Sequence, residues 1–246
     1  MPTQITILSL NATLATGPSA IHPVLLRDAQ TAVLVDAGLP DTRPQLLSAL
    51  ESEGGVAPSN LTHIVLTHAD MDHVGGLTAL SRQCPTAEIL CHEREKPYVQ
   101  ADVPPLRLAQ MEGNLAHTPE PLRTQMEALV ANLRANYKKL GVRVTKSIDE
   151  GEALLPCGAE VVYTPGHTPG HICLYLKESR TLIAGDALFA EGGVLSASPE
   201  RLAWDTEEYK RSLRKLAGYD IETVICYHGG AYDKDVNQRL KEIAGE

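Results

Sequence analysis

Six consecutive residues, His68-Ala69-Asp70-Met71-Asp72-His73, carry four side chains able to ligate a metal. Imidazole nitrogens and carboxylate oxygens suit zinc, iron or manganese. The apolar run Ile64-Val65-Leu66 precedes them and reads as a buried strand. Val74-Gly75-Gly76-Leu77 follows and opens a helical pattern. The four ligands therefore crowd into one strand-to-helix turn. A solvated polar turn has no need of so many donors.

Three later segments repeat the arrangement. Gly166-His167-Thr168-Pro169-Gly170-His171 follows Val161-Val162-Tyr163, and Gly185-Asp186 follows Thr181-Leu182-Ile183-Ala184. His228-Gly229-Gly230 follows Val224-Ile225-Cys226-Tyr227. Each His or Asp stands at the end of a short β-rich run beside glycine. Glycine lets the backbone turn sharply and leaves room beside an ion. Such strand ends, gathered at one rim of a sheet, form a metal cluster.

In this combination and order the chain resembles the metallo-β-lactamase superfamily of metal-dependent hydrolases. The resemblance starts at Val33-Leu34-Val35-Asp36-Ala37-Gly38 and runs through the His68–His73 motif. Thr164-Pro165-Gly166-His167-Thr168-Pro169-Gly170-His171, Gly185-Asp186 and His228-Gly229 complete it. It implies an α/β fold, a four-layer αββα sandwich of two mixed β-sheets flanked by helices. The metals would lie in a cleft at one edge. It also implies a first ion on His68, residue 70 and His167, and a second on Asp72, His73 and His228, with Asp186 bridging. Asp36 would support the metal turn by bonding a ligand histidine or the loop backbone.

The family usually has histidine where this chain has Asp70. A hard anionic oxygen there changes the electrostatics. Asp70, Asp72 and Asp186 facing two divalent ions leave roughly one net positive charge, against roughly two with a histidine. The first ion becomes a weaker Lewis acid. Oxygen donors also move metal preference toward manganese or iron. The expected cofactors are two divalent ions, zinc first, with manganese or iron also competent.

The resemblance implies hydrolysis by a metal-bound hydroxide, since coordination brings the pKa of water to near ~7. Asp72 is the expected catalytic residue, binding the second ion and holding the nucleophile's hydrogen. No G-x-S-x-G elbow offers a serine alternative. The expected substrate is a small ester, thioester or lactone. Gly185-Asp186-Ala187-Leu188-Phe189 is similar to the thioesterases of the glyoxalase II type. Acyl-homoserine lactonases usually place a tyrosine where this chain has Phe189. The C-terminal helical domain of true glyoxalase II enzymes and a basic cluster for glutathione are not evident. The alternatives are a mononuclear iron sulfur dioxygenase of the same fold, a phosphodiesterase, or a non-enzymatic module that retains metal.

The chain has 246 residues, 43% of them hydrophobic, enough to bury a substantial core. Motif residues spread from Asp36 to His228 must converge, which favours a single domain over 1–246. Met1-Pro2-Thr3-Gln4 starts no basic, apolar leader, and no run is long enough to span a membrane. The expected location is cytoplasmic, without membrane partners. A net charge of −9 argues against a nucleic-acid partner. The cysteines Cys84, Cys91, Cys157, Cys173 and Cys226 lack C-x-x-C spacing and read as reduced, mostly buried thiols.

Strands are expected at 3–9, 22–27, 31–36, 61–67, 87–91, 142–147, 159–164, 172–176, 181–185 and 222–227. Helices are expected at 45–53, 77–83 and 235–244. A helical insertion at about 93–141 interrupts the strand rhythm. Thr118-Pro119-Glu120 reads as its N-cap, Leu122, Met126, Leu129, Val130, Leu133, Tyr137 and Leu140 form a stripe, and Gly141 stops it. The stripe packs on the sandwich, or serves as a lid or a homodimer face. Pro104, Leu106, Leu108 and Met111 would suit an apolar wall beside the metals. His171 is expected to pack below the site. His63 is a tolerated strand residue, and His22, His92 and His117 have no ligand context.

Overall fold

The computed structural model describes residues 3–14, 17–154 and 157–245. Met1 and Pro2, part of the expected leaderless start, lie outside them. The strands in chain order are β1 (Gln4–Ile7), β2 (Leu10–Leu14), β3 (Gly17–Ile21), β4 (Val24–Arg27), β5 (Ala32–Val35), β6 (His63–Val65), β7 (Glu88–Cys91) and β8 (Lys146–Ser147). They continue with β9 (Ala153–Leu154), β10 (Ala159–Tyr163), β11 (Ile172–Leu176), β12 (Thr181–Gly185), β13 (Leu188–Glu191), β14 (Val194–Ala197), β15 (Thr223–Cys226) and β16 (Gly230–Tyr232). The α-helices are α1 (Arg43–Ser52), α2 (Met71–Val74), α3 (Leu77–Leu80), α4 (Lys96–Val99), α5 (Leu106–Asn114), α6 (Leu122–Asn136), α7 (Thr206–Ala217) and α8 (Val236–Ala244).

Strands β5, β11 and β12 are buried at every position. A strand with no solvent face needs cover on both sides, and the packing supplies it. One six-stranded sheet runs β1-β4-β5-β6-β7-β8 and the other β16-β15-β12-β11-β10-β9. Both are mixed: β5, β6, β7 and β8 pair in parallel in the first, and β12 and β15 in the second. Side chains alternate along each strand. Val24, Leu26, Val33, Val35 and Val65 face Val161, Ile172, Leu174, Ile183 and Ile225 between the sheets. Leu25, Leu34 and Ile64 point the other way, onto Leu46 and Leu50 of α1 and Leu77 and Leu80 of α3. On the far side Val162, Tyr175, Leu182 and Val224 pack on Leu213 and Leu216 of α7 and Leu240 of α8. Three apolar seams join four layers, the αββα sandwich expected from the motifs.

Two hairpins, β2–β3 and β13–β14, were not expected. Gly17, Pro18 and Gly192-Gly193 read as turns, yet Leu10, Ile21 and Leu195 bury fully within them. The expected strand 142–147 shrinks to β8, preceded by Thr145, whose hydroxyl rather than a backbone carbonyl accepts from the Ile89 amide. The expected helix 77–83 ends at Leu80, whose carbonyl accepts from Gln83 and Cys84.

The insertion also differs. Thr118 does not cap α6; it closes the turn after α5, its hydroxyl donating to the Asn114 carbonyl. α6 starts at Leu122, and its stripe is only partly covered: Val130 is buried, while Leu122 is 57% and Leu129 46% exposed. Pro105 stands at the N-cap position immediately before α5. Of the expected apolar wall Leu108 is buried and Pro104 is exposed. Among the described residues no helix is long and apolar enough to cross a membrane.

Gly76 lets the metal turn approach the end of β5. A Cβ there would lie 2.2 Å from the Ala37 carbonyl oxygen. Gly76→Ala is expected to destabilise the protein by about 1–3 kcal/mol through overpacking, read as a lower urea midpoint. An unchanged midpoint would show that the loop has slack.

Candidate metal centre

The parallel strands explain the convergence. β5 and β6 end side by side in the first sheet, and β12 and β15 in the second. Asp36 follows β5, His68 and the α2 turn follow β6, Asp186 follows β12, and His228 follows β15. His167 comes from the loop between β10 and β11. Gly166 holds that loop at φ 127°, with the Tyr209 backbone nitrogen 2.2 Å from where a Cβ would stand. All seven side chains singled out in the sequence meet at this rim.

They meet in overlapping triads: His68, Asp70 and His167; Asp72, His73 and His228; and His68, His73 and Asp186. Within each triad the candidate ligand atoms lie within 4.8 Å of one another. Asp70 Oδ2 lies 3.4 Å from His68 Nε2 and 3.2 Å from His167 Nε2. Asp72 Oδ2 lies 3.3 Å from His228 Nε2. Asp186 divides its oxygens. Oδ2 lies 3.5 Å from His167 Nε2, while Oδ1 lies 3.2 Å from His73 Nε2 and 3.4 Å from His228 Nε2.

A second layer fixes the imidazoles. Asp36, at φ 64°, sits in a conformation costly for a non-glycine residue. Its carboxylate accepts from the Thr67 amide (2.9 Å), the Thr67 hydroxyl (2.9 Å) and His73 Nδ1 (2.9 Å). The Thr67 hydroxyl, having donated to Asp36, accepts from His68 Nδ1 at 3.0 Å. Both histidines therefore carry Nδ1–H and turn Nε2 toward the cluster. His171 does not point in as a ligand. Its Nε2 accepts from the Asp186 amide at 3.0 Å and its Nδ1 donates to Thr164 Oγ1 at 2.9 Å.

Two contributors were not found from the sequence. Glu95 is buried and ties two ligand loops together, accepting from the Ala69 amide (2.8 Å) and the Gly170 amide (2.7 Å). Arg107, on α5, reaches Asp70 with Nη2 2.7 Å from Oδ2. Nothing in the local pattern of either residue announces this, because their partners lie far away in the chain.

Charge is strongly organised here. Burial favours neutral carboxyls, but the neighbouring His167 and His68 imidazoles and the Arg107 charge hold Asp70 well below the usual range. Burial is likewise overridden at Asp186 by His73 and His228. Against burial, Asp36, Asp186 and Asp72 raise His73 well above the ordinary imidazole value. The same competition, won by Asp186 and Asp72, raises His228 to about 9. Burial and the neighbouring imidazoles push His171 far down, in keeping with its role as an acceptor.

The donor set fits divalent metal. His68 Nε2, His73 Nε2 and Asp186 Oδ1 are buried without a hydrogen-bond partner. Orphaned polar atoms of this kind are costly in an apolar surround. These atoms converge, and nitrogen plus carboxylate oxygen is the donor chemistry of zinc, iron and manganese. The Cys173 thiol, by contrast, is pushed up by burial to about 12 and donates to the Ala184 carbonyl.

A family model for the metallo-beta-lactamase superfamily matches residues 16–228. The probable metallo-hydrolase YflN of Bacillus subtilis is 28% identical over 230 residues, covering 86% of this chain and 81% of that protein. A hydroxyacylglutathione hydrolase of Cereibacter sphaeroides is 30% identical, covering 83% of this chain and 60% of the relative. The metallo-beta-lactamase family protein TTHA1429 from Thermus thermophilus superposes with TM-score 0.71 at 23% identity, over 98% of this chain and 78% of that one. TTHA1623, solved in a di-iron-bound form, superposes with TM-score 0.63 at 26% identity, over 94% and 97%.

Because the raised His228 value of about 9 lies above neutrality, the metal-free protein holds a proton there at pH 7. A metal must displace it. Metal affinity is expected to rise with pH across neutrality, about tenfold per proton released per unit, because His228 and His73 are both raised. Titration calorimetry in buffers of different ionisation enthalpy reads the protons; uptake without release would contradict this. Asp36→Asn, which removes the anionic partner of His73, is expected to weaken metal binding by about 10–100-fold with the fold retained by circular dichroism.

Proposed function

The chain belongs to the metallo-β-lactamase superfamily of metal-dependent hydrolases, and from that premise we propose a binuclear enzyme cleaving a small ester, thioester or lactone. The observation that carries the proposal is the division of Asp186, one oxygen toward His167 and the other toward His73 and His228. A carboxylate so placed suits a bridge between two ions. His68, Asp70 and His167 would hold the first, and Asp72, His73 and His228 the second. Zinc is the leading candidate, with manganese or iron favoured by the oxygen of Asp70. Ions bound there would acidify a water and polarise the bond to be broken.

The chain's own residues do the rest. Asp36 and Thr67 hold His73 and His68 in one tautomer, so metal binding requires no ring flip. Asp72 is the most accessible of the three cluster carboxylates, its side chain 21% exposed against 12% for Asp70 and 6% for Asp186. Asp72 can therefore accept a proton from an attacking water. Phe189 packs beside the site, its ring 4.8 Å from that of His228. A phenyl ring donates no hydrogen bond to a substrate carbonyl, which disfavours acyl-homoserine lactones. The hydroxyacylglutathione hydrolase relatives put thioesters first among the substrates to try. An acidic chain of net charge −9 suits a small-molecule substrate better than a nucleic acid.

Metal-stripped protein, reconstituted separately with zinc, manganese and iron, would be assayed on thioesters, simple esters, lactones and phosphodiesters. Hydrolysis of one of the first three classes is expected, with more than one ion competent. Asp186→Asn is expected to lower kcat/KM on the order of 100-fold or more. Full turnover by the stripped enzyme in chelator would contradict the proposal, and phosphodiester turnover alone would replace the substrate class.

A further inference from the structure

Arg107 belongs to the insertion, yet its guanidinium is built into the cluster. Nε donates to Asp70 Oδ2 at 2.8 Å and Oδ1 at 3.0 Å. Nη2 lies 2.7 Å from Asp70 Oδ2 and 2.9 Å from His167 Nε2, and also 3.3 Å from the His167 carbonyl oxygen. A guanidinium has only donors, so His167 Nε2 must be the acceptor. Nη1 donates to the Leu202 carbonyl at 2.6 Å and to Gln110 Oε1 at 2.9 Å. Each nitrogen of the fork has an acceptor, and the side chain is only 19% exposed.

The Asp70 oxygens and His167 Nε2 among these acceptors are the lone pairs assigned above to the first ion. A divalent ion and a guanidinium cannot both use His167 Nε2, and at this distance like charges repel. None of Arg107's hydrogen bonds reaches Asp72, His73 or His228. The two positions therefore differ in kind. Asp70 accounts for the difference: a carboxylate accepts the planar fork with charge assistance, whereas an imidazole would offer it no negative charge.

We propose that Arg107 is a tethered cation that competes with a divalent ion for Asp70 and His167. This rests on the binuclear reading and deepens it. One ion at Asp72, His73, His228 and Asp186, together with the guanidinium, balances three carboxylates to roughly zero net charge. The second position fills first. Filling the first position requires Arg107 to swing away, giving up Leu202 and Gln110 as well. Metal loading is thereby coupled to the placement of α5 beside the site.

The test is titration of metal-stripped protein with cobalt(II), without substrate, by calorimetry and by the visible cobalt spectrum. The proteins are wild type, Arg107→Met and Arg107→Lys. Wild type is expected to take up two ions in two steps separated by about tenfold or more in affinity. Arg107→Met is expected to tighten the weaker step by about tenfold or more and leave the stronger step within about threefold. Arg107→Lys keeps a charge but loses the fork, and is expected to fall between; it carries the test should the methionine variant not fold. Equal affinities in wild type, or a weaker step that the variants leave unchanged or weaken, would overturn the inference while leaving two bound ions. Wild type that takes up no cobalt would instead refute the binuclear reading, and this inference with it.

Discussion

Charge held away from water must be paired, and that constraint governs the whole rim. Asp70, Asp72 and Asp186 face His68, His73, His167 and His228 across a few ångströms, with Asp36 behind them. No carboxylate here finds enough water to be stable alone. Each leans on an imidazolium, a backbone amide, Arg107 or, in the proposed function, a divalent ion. The depression of Asp70 and Asp186 and the elevation of His73 and His228 are two sides of one mutual dependence.

The sandwich makes that pairing geometrically possible. His68, Asp70, Asp72 and His73 come from the first sheet, and His167, Asp186 and His228 from the second. The cluster spans both, so the apolar seam between the sheets sets the distances among the ligands. Cross-ties reinforce the seam at the rim. Tyr227 donates its hydroxyl to the Asp72 carbonyl, the Ile172 amide donates to the Thr67 carbonyl, and Glu95 clasps the loops of Ala69 and Gly170. The ligand atoms are thus held by backbone anchored on strands, so the rearrangement that metal binding requires falls on Arg107 rather than on the ligands.

Ligand chemistry is legible in a sequence because few residue types can perform it. The candidates His68, Asp70, Asp72, His73, His167, Asp186 and His228 stood out for that reason, the last three each at a strand end beside glycine. The buried strands were readable too, since β5, β11 and β12 are runs of apolar residues. What stayed hidden depends on tertiary placement. Glu95 serves amides distant in the chain, and Arg107 looks like one more surface arginine between leucines. Thr118 had the composition of a helix cap but closes the preceding turn, and the hairpins β2–β3 and β13–β14 carry glycine and proline that suggest loops. The departure at residue 70 was visible as an anomaly, while its partner Arg107 was visible only once the insertion was folded against the rim.

The most direct measurement is anomalous diffraction from crystals of the protein reconstituted with zinc, recorded above and below the absorption edge. Two peaks are expected at the rim, one among His68, Asp70 and His167 and one among Asp72, His73 and His228, with Asp186 between them. Crystals showing no anomalous density there, or a single peak at saturating zinc, would contradict it.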